Sequence, residues 1–124
     1  MPNLNPALTG KRIAVVEDDF IVRSGIETAL ERSGAIVVSL FDSLIDGAIL
    51  DVLLEEGATS LAVARELERR RVAFVFYTGQ PDAYLRPVRD ELPQSIIIAK
   101  PAEFTVVLAA IASLIPQRHH RHAA

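Results

Sequence analysis

Five side chains stand out for their chemistry: Glu17, Asp18, Asp51, Thr78 and Lys100. Each lies at or just past the end of an apolar run, in "IAVVEDD" (13–19), "ILDV" (49–52), "VAFVFYTG" (72–79) and "SIIIAK" (95–100). Taken singly, each has a bland explanation as a helix cap, a turn residue or a solvated end. Together they are a set of hard oxygen donors with one hydroxyl and one ammonium. Gathered carboxylates repel one another, and a divalent ion offsets that repulsion. Mg²⁺ prefers oxygen ligands and is typically held by one or two carboxylates plus substrate phosphate. An aspartate beside it can attack phosphorus and form an acyl phosphate. Positioning and charge stabilisation do most of the remaining work in such a transfer. The chemistry these residues suit is phosphoryl capture, with Asp51 as nucleophile and Lys100 and Thr78 as donors to the phosphoryl oxygens.

The elements that must position them follow from the hydrophobic pattern. Lys11 to Val16, "AIVVSL" (35–40), "DGAILDV" (46–52), 72–79 and 95–100 read as five strands, rich in Ile and Val and buried on both faces. Asp18 or Asp19 caps a helix whose Ile21, Val22, Ile26, Ala29 and Leu30 form an apolar side and which ends at Ser33-Gly34. Thr59 or Ser60 caps a second helix ending in "ERRR", after a turn around Glu55, Glu56 and Gly57. Residues 82–91 form a short helix limited by Pro87, and a last apolar helix runs from Pro101 to Leu114 or Ile115. The order β-α-β-β-α-β-α-β-α predicts an open, doubly wound parallel sheet with helices on both faces. In such sheets, ligands bind beyond the carboxyl ends of the strands, where the five residues lie.

Bulk properties narrow the alternatives. The chain has 124 residues, half of them hydrophobic, enough for one domain with a real core. It has no cysteine, which excludes disulfides, thiolate metal sites and a cysteine nucleophile. No apolar run approaches about 18 residues, so no membrane span is expected. "MPNLNPALTG" lacks a signal core, and the cytoplasm is the expected location. The net charge of -3 offers nucleic acid no general attraction. Residues 1–10 read as a flexible lead, 11–115 as the domain and 116–124 as a basic tail. All three histidines (His119, His120, His122) fall in that tail, which leaves none for general base chemistry in the domain.

With those motifs in order, the chain resembles the receiver domains of two-component response regulators. The carrying residues are "VVEDD" (15–19), "ILDV" (49–52), "FYTG" (76–79) and "AKP" (99–101), and the likeness runs from about Lys11 to Leu114. It implies a flavodoxin-like fold with strand order 2-1-3-4-5. It also implies a protein that takes a phosphoryl group on Asp51 from a histidine kinase or phosphotransfer protein and signals to a downstream partner. Asp18 would then bind Mg²⁺ directly, Glu17 through water, and the Leu53 backbone carbonyl would complete the protein ligands. Thr78 and Lys100 take the switch and phosphate-sensing positions, and Lys100-Pro101 matches a bond that is usually cis. "FYTGQ" also resembles the stand-alone FAT GUY receivers, although Phe104 comes three residues after Pro101, later than that group's aromatic. Haloacid-dehalogenase-type phosphatases and Toprim-type nucleases each need an Asp-x-Asp pair that Asp18-Phe20 and Asp51-Leu53 do not supply.

Two departures from the family pattern matter. Ile97 stands where many receivers keep a switch aromatic, three residues before the lysine. Only "FDSLI" (41–45) separates the second and third strands, where the family has a helix of about ten residues. That connection must span a diagonal of about 20 Å, and six peptide links reach at most about 21 Å. The second helix is therefore expected to be missing or reduced to one turn, one sheet face near strands one and two to be uncovered, and a homodimer or partner to cover it. The alternative function is a degenerate pseudo-receiver, a phosphorylation-independent interaction module.

Overall fold

The computed structural model describes residues 4–54 and 59–117. Five parallel strands, β1 (Arg12–Val16), β2 (Ile36–Val37), β3 (Gly47–Leu50), β4 (Ala73–Thr78) and β5 (Ile97–Ala99), form one sheet in the order β2-β1-β3-β4-β5. Four helices connect or follow them: α1 (Phe20–Arg32), α2 (Leu61–Arg69), α3 (Asp82–Glu91) and α4 (Phe104–Leu114).

Side chains alternate across the strands and feed two cores. Ile13, Ile49 and Val75 point toward α1 and α4, where they meet Ile26, Leu30, Leu108 and Ile111. Ala14, Ala48, Leu50, Phe74 and Phe76 point the other way, toward Leu67 of α2 and Leu85 and Val88 of α3. Asp19 starts α1 as expected, its Oδ1 accepting from the amides of Ile21 (2.9 Å) and Val22 (3.1 Å). Gly34, just past its end, adopts φ 79°, the left-handed conformation that favours glycine. Mid-helix Gly25 has a packing reason: a Cβ there would come 2.4 Å from the Phe104 ring.

No helix lies between β2 and β3, in line with the sequence expectation. The connection is longer than expected, however, because β2 pairs with β1 only through Arg12↔Ile36 and Ile13↔Val37. The chain leaves the sheet after the Val38 amide bonds the Ile13 carbonyl at 3.0 Å. Residues 38–46 then form a strap pinned to β1. The Arg12 amide donates to Asp46 Oδ2 (2.8 Å), the Asp46 amide to the Arg12 carbonyl (2.7 Å), and the Arg12 guanidinium to Asp42 Oδ2 (2.6 Å). That guanidinium, followed by the Leu44 amide, holds the Asp42 carboxyl below its ordinary range.

The uncovered sheet face does not materialise. Ile45 is 8% exposed and packs with fully buried Ala14 and Ala48. Their small side chains let the strap lie close where a helix would otherwise stand off. Exposed apolar surface is displaced outward instead, to Phe41 and Leu44 on the strap.

Three further expectations change. The lead over residues 1–10 is, in its described part, tied down: Leu8 in the short 3-10 helix Pro6–Leu8 is completely buried, and the Gly10 amide donates to the Gly34 carbonyl at 2.8 Å. The last helix starts at Phe104 rather than Pro101, because both backbone groups of Ala102 bond the Tyr77 hydroxyl (3.0 and 3.2 Å). Strand β2 is a two-residue edge with Ile36 half-exposed, not a buried run over 35–40. The turn at 55–57 and the three histidines lie outside the described residues.

If Ile45 is the plug of the strap, Ile45→Ala should lower the unfolding free energy in urea by about 2–4 kcal/mol. Phe41→Ala, measured likewise on dilute protein, should change it by less than about 0.5 kcal/mol.

Candidate functional site

The sheet register brings the acidic residues together. β1 and β3 are neighbours paired Val16↔Leu50, so Glu17 and Asp51 leave the sheet side by side, and the Asp51 amide donates to the Val16 carbonyl at 2.9 Å. On the other side β4 pairs with β5 through Thr78↔Ala99, and the Lys100 amide donates to the Thr78 carbonyl at 2.9 Å. Glu17, Asp51 and Thr78 are each less than 9% exposed.

Lys100 reaches back across this rim. Its Nζ donates to Glu17 Oε1 at 2.6 Å and to Asp51 Oδ2 at 3.1 Å. Burial works against the ammonium, but the hydrogen bonds and charges of Glu17 and Asp51 outweigh it, and its pKa lies above the ordinary lysine value. The same Nζ sits 5.5 Å from the centre of the Tyr77 ring, within cation–π range. Glu17 Oε2 accepts from the Asp19 amide at 3.0 Å. Asp51 Oδ1, by contrast, is buried and accepts no hydrogen bond. Leaving such an oxygen unpaired costs about 1–3 kcal/mol, more if charged.

Asp18 projects from the exposed start of the loop before α1, one residue beyond Glu17. Leu53 follows Asp51 by two residues and faces Thr59 in an isolated antiparallel bridge. The Thr78 hydroxyl accepts from the Gln80 amide at 3.3 Å. The Lys100-Pro101 bond is cis. Ile97, at the position of the absent aromatic, is partly buried against the α2–α3 core.

Among the described residues, no three acidic, histidine or cysteine side chains converge closely enough to enclose an ion by themselves. The donor set nevertheless fits a hard divalent cation of the kind that keeps several waters. Two buried acids, Glu17 and Asp51, face one ammonium, and the orphaned Asp51 Oδ1 has an unused acceptor.

Two contributors escaped the sequence reading. Ser60 stands at the start of α2, yet its Oγ donates to the Asp51 carbonyl at 2.5 Å and accepts from no amide of the helix's first turn. Fully buried, it fixes the backbone that carries Asp51. Tyr77 looked like core, and its ring does pack there, but its hydroxyl holds Ala102 and its face meets Lys100. No spacing rule signals either role.

The chain has relatives among solved structures. SdrG from Sphingomonas melonis Fr1 is 33% identical, with a TM-score of 0.67 over 87% of this chain and 97% of that one. The HemR receiver domain from Leptospira biflexa is 25% identical, with a TM-score of 0.71 over 90% and 99% of the two chains. A response regulator from Burkholderia pseudomallei, solved with a phosphorylated aspartic acid, a calcium ion and citrate, is 20% identical, with a TM-score of 0.69 over 83% and 69%. No family model matches the sequence, and no curated protein matches it either. The chain belongs to the response-regulator receiver domains, with the flavodoxin-like fold and a strap in place of the second helix. No helix among the described residues is long and apolar enough to cross a membrane.

Because its pKa is raised, Lys100 stabilises the fold fully below the ordinary lysine value, about 10.4, and loses that contribution as pH rises through the folded value. The gap in urea midpoint between wild type and Lys100→Met should therefore hold steady from neutral pH to about 10 and close above it.

Proposed function

We propose that this receiver takes a phosphoryl group on Asp51 from a phosphohistidine of a histidine kinase or phosphotransfer protein. A carboxylate oxygen of Asp51 forms the new bond to phosphorus as the phosphorus–nitrogen bond to the donor imidazole breaks. In this reading Asp18 and Asp51 hold Mg²⁺ directly, Glu17 through water, and the Leu53 carbonyl completes the protein ligands. Bound there, the ion would neutralise charge on the transferring oxygens. Lys100 releases Asp51 and pairs with the incoming phosphoryl group, and the Thr78 hydroxyl donates to a second oxygen. The protein works in the cytoplasm and passes the signal to a downstream protein.

The observation that carries this reading is Asp51 itself. It is buried at a sheet rim, with one oxygen on Lys100 and the other without a partner. The phosphorylated aspartic acid of the Burkholderia pseudomallei regulator and the BeF3-activated DrrB receiver lend support. Phe20 and Ile21, 67% and 80% exposed beside the acidic loop, offer an apolar landing for a protein donor. One feature favours the second reading, a phosphorylation-independent interaction module. Lys100 already bridges the two buried carboxylates, so the rim is partly neutralised without a metal.

Acetyl phosphate with Mg²⁺ separates the readings. Intact-mass measurement should show the gain of one phosphoryl group in wild type, none in Asp51→Asn, and none in wild type with excess chelator. A folded wild-type protein that gains no mass from acetyl phosphate or from a phosphorylated phosphotransfer protein would leave the interaction module as the function.

A further inference from the structure

The Lys100 ammonium sits at the end of a flexible four-carbon stem, and its position at the rim has to be fixed by its surroundings. Glu17 and Asp51 hold it at 2.6 and 3.1 Å, but each does so as a counter-charge. A phosphoryl group arriving on Asp51 must also draw Nζ away from that oxygen. An aromatic face holds an ammonium differently: its quadrupole attracts the cation and leaves the charge unneutralised. The centre of the Tyr77 ring lies 5.5 Å from Nζ.

The same residue fixes the root of the stem. The Lys100 amide donates to the Thr78 carbonyl at 2.9 Å. Two residues further on, the Ala102 carbonyl accepts from the Tyr77 hydroxyl at 3.0 Å, and the Ala102 amide donates to it at 3.2 Å. Two consecutive residues of β4 therefore bracket the segment Lys100 to Ala102. Phe104 meets the Tyr77 ring edge to face at 6.3 Å, and Tyr77 is only 4% exposed. Core packing accounts for that ring, and a phenylalanine would fill the same space. It does not account for a hydroxyl that commits both its donor and its acceptor to the segment carrying Lys100.

We propose that Tyr77 is the positioning residue for Lys100, holding the ammonium over the rim with its charge still available to the phosphoryl group. The inference rests on Asp51 as the acceptor, so its test has one arm that needs no phosphorylation. Lys11 and Lys100 are the two lysines of the chain, so ¹³C-lysine gives two ε-methylene signals, which Lys100→Met assigns. In the unphosphorylated protein, NMR relaxation should show the Lys100 methylene more ordered than that of Lys11. Tyr77→Phe, with circular dichroism unchanged, should lower that order toward the Lys11 value. With acetyl phosphate and Mg²⁺, Tyr77→Phe should slow the mass gain by about three- to tenfold, the worth of one hydrogen bond. In a Lys100→Met background the same substitution should cause no further slowing. Unchanged Lys100 order in Tyr77→Phe would overturn the proposal. So would equal slowing in both backgrounds, the mark of a purely structural tyrosine. A wild type that gains no mass would reject the Asp51 reading instead, and the lysine order alone would then decide whether Tyr77 holds the ammonium.

Discussion

The fold sets two carboxylates against each other at the edge of a hydrophobic sheet, and Lys100 makes that tolerable. Glu17 and Asp51 are less than 9% exposed and emerge from adjacent strands. Buried like charges at such spacing are costly unless a cation lies between them. Lys100 reaches them from β5, two strands beyond β3, because the chain after Ala99 turns back over the rim. The ion pair therefore links both halves of the sheet. It also leaves the buried pair short of neutrality: one ammonium faces both Glu17 and Asp51. That imbalance, with the orphaned Asp51 oxygen, gives the rim its appetite for a further cation or for a group bringing one.

The strap is the second constraint. A receiver sheet needs cover on both faces, and the usual cover over β1 and β3 is a helix. Here the cover is a single strap with turns at 40–41 and 43–44, too short for a helix that rises about 1.5 Å per residue to span. It works because two of the sheet residues in the same core as Ile45 are alanines. Ala14 and Ala48 bring the backbone of the strap close enough for Ile45 to fill the remaining space. Arg12 and Asp46 supply the backbone pairings that a helix would have made internally. The exchange saves residues and transfers apolar exposure from the sheet to Phe41 and Leu44.

Much of this was legible from residues alone. The five strands, a cap at Asp18 or Asp19 and the short helix over 82–91 followed from hydrophobic period and turn residues, while the strand order and the missing helix followed from the family resemblance together with the reach of the short connection. So did the gathering of Glu17, Asp51, Thr78 and Lys100, since all mark the same ends of parallel strands. What stayed hidden depends on side-chain volume or on partners distant in sequence. Nothing local in "PAL" says that Leu8 will be buried by α1 and α4, and nothing in "AVV" or "GAIL" says that their alanines will seat a strap. The roles of Ser60 and Tyr77 were equally invisible, because each bonds backbone lying 9 and 25 residues away.

Tyr77 also bears on the absent switch aromatic. Ile97 puts no ring on the α2–α3 face beside the site, yet Lys100 still touches one on the opposite face. The Tyr77 ring meets Phe104 edge to face at 6.3 Å between centres, and Phe104 fills the notch that Gly25 leaves in α1. Its hydroxyl meanwhile fixes Ala102, directly after the cis peptide. Lys100, the backbone leading into α4, and the α1–α4 seam thus share one rigid side chain with only two rotatable χ angles. Close-packed interiors transmit displacement rather than absorb it. Tyr77 joins Lys100 to this seam by direct contacts, on the face of the sheet away from the strap. The receiver has two surfaces with separate physical origins: one tied to the ammonium at its acidic rim, the other created by replacing a helix with nine residues of strap.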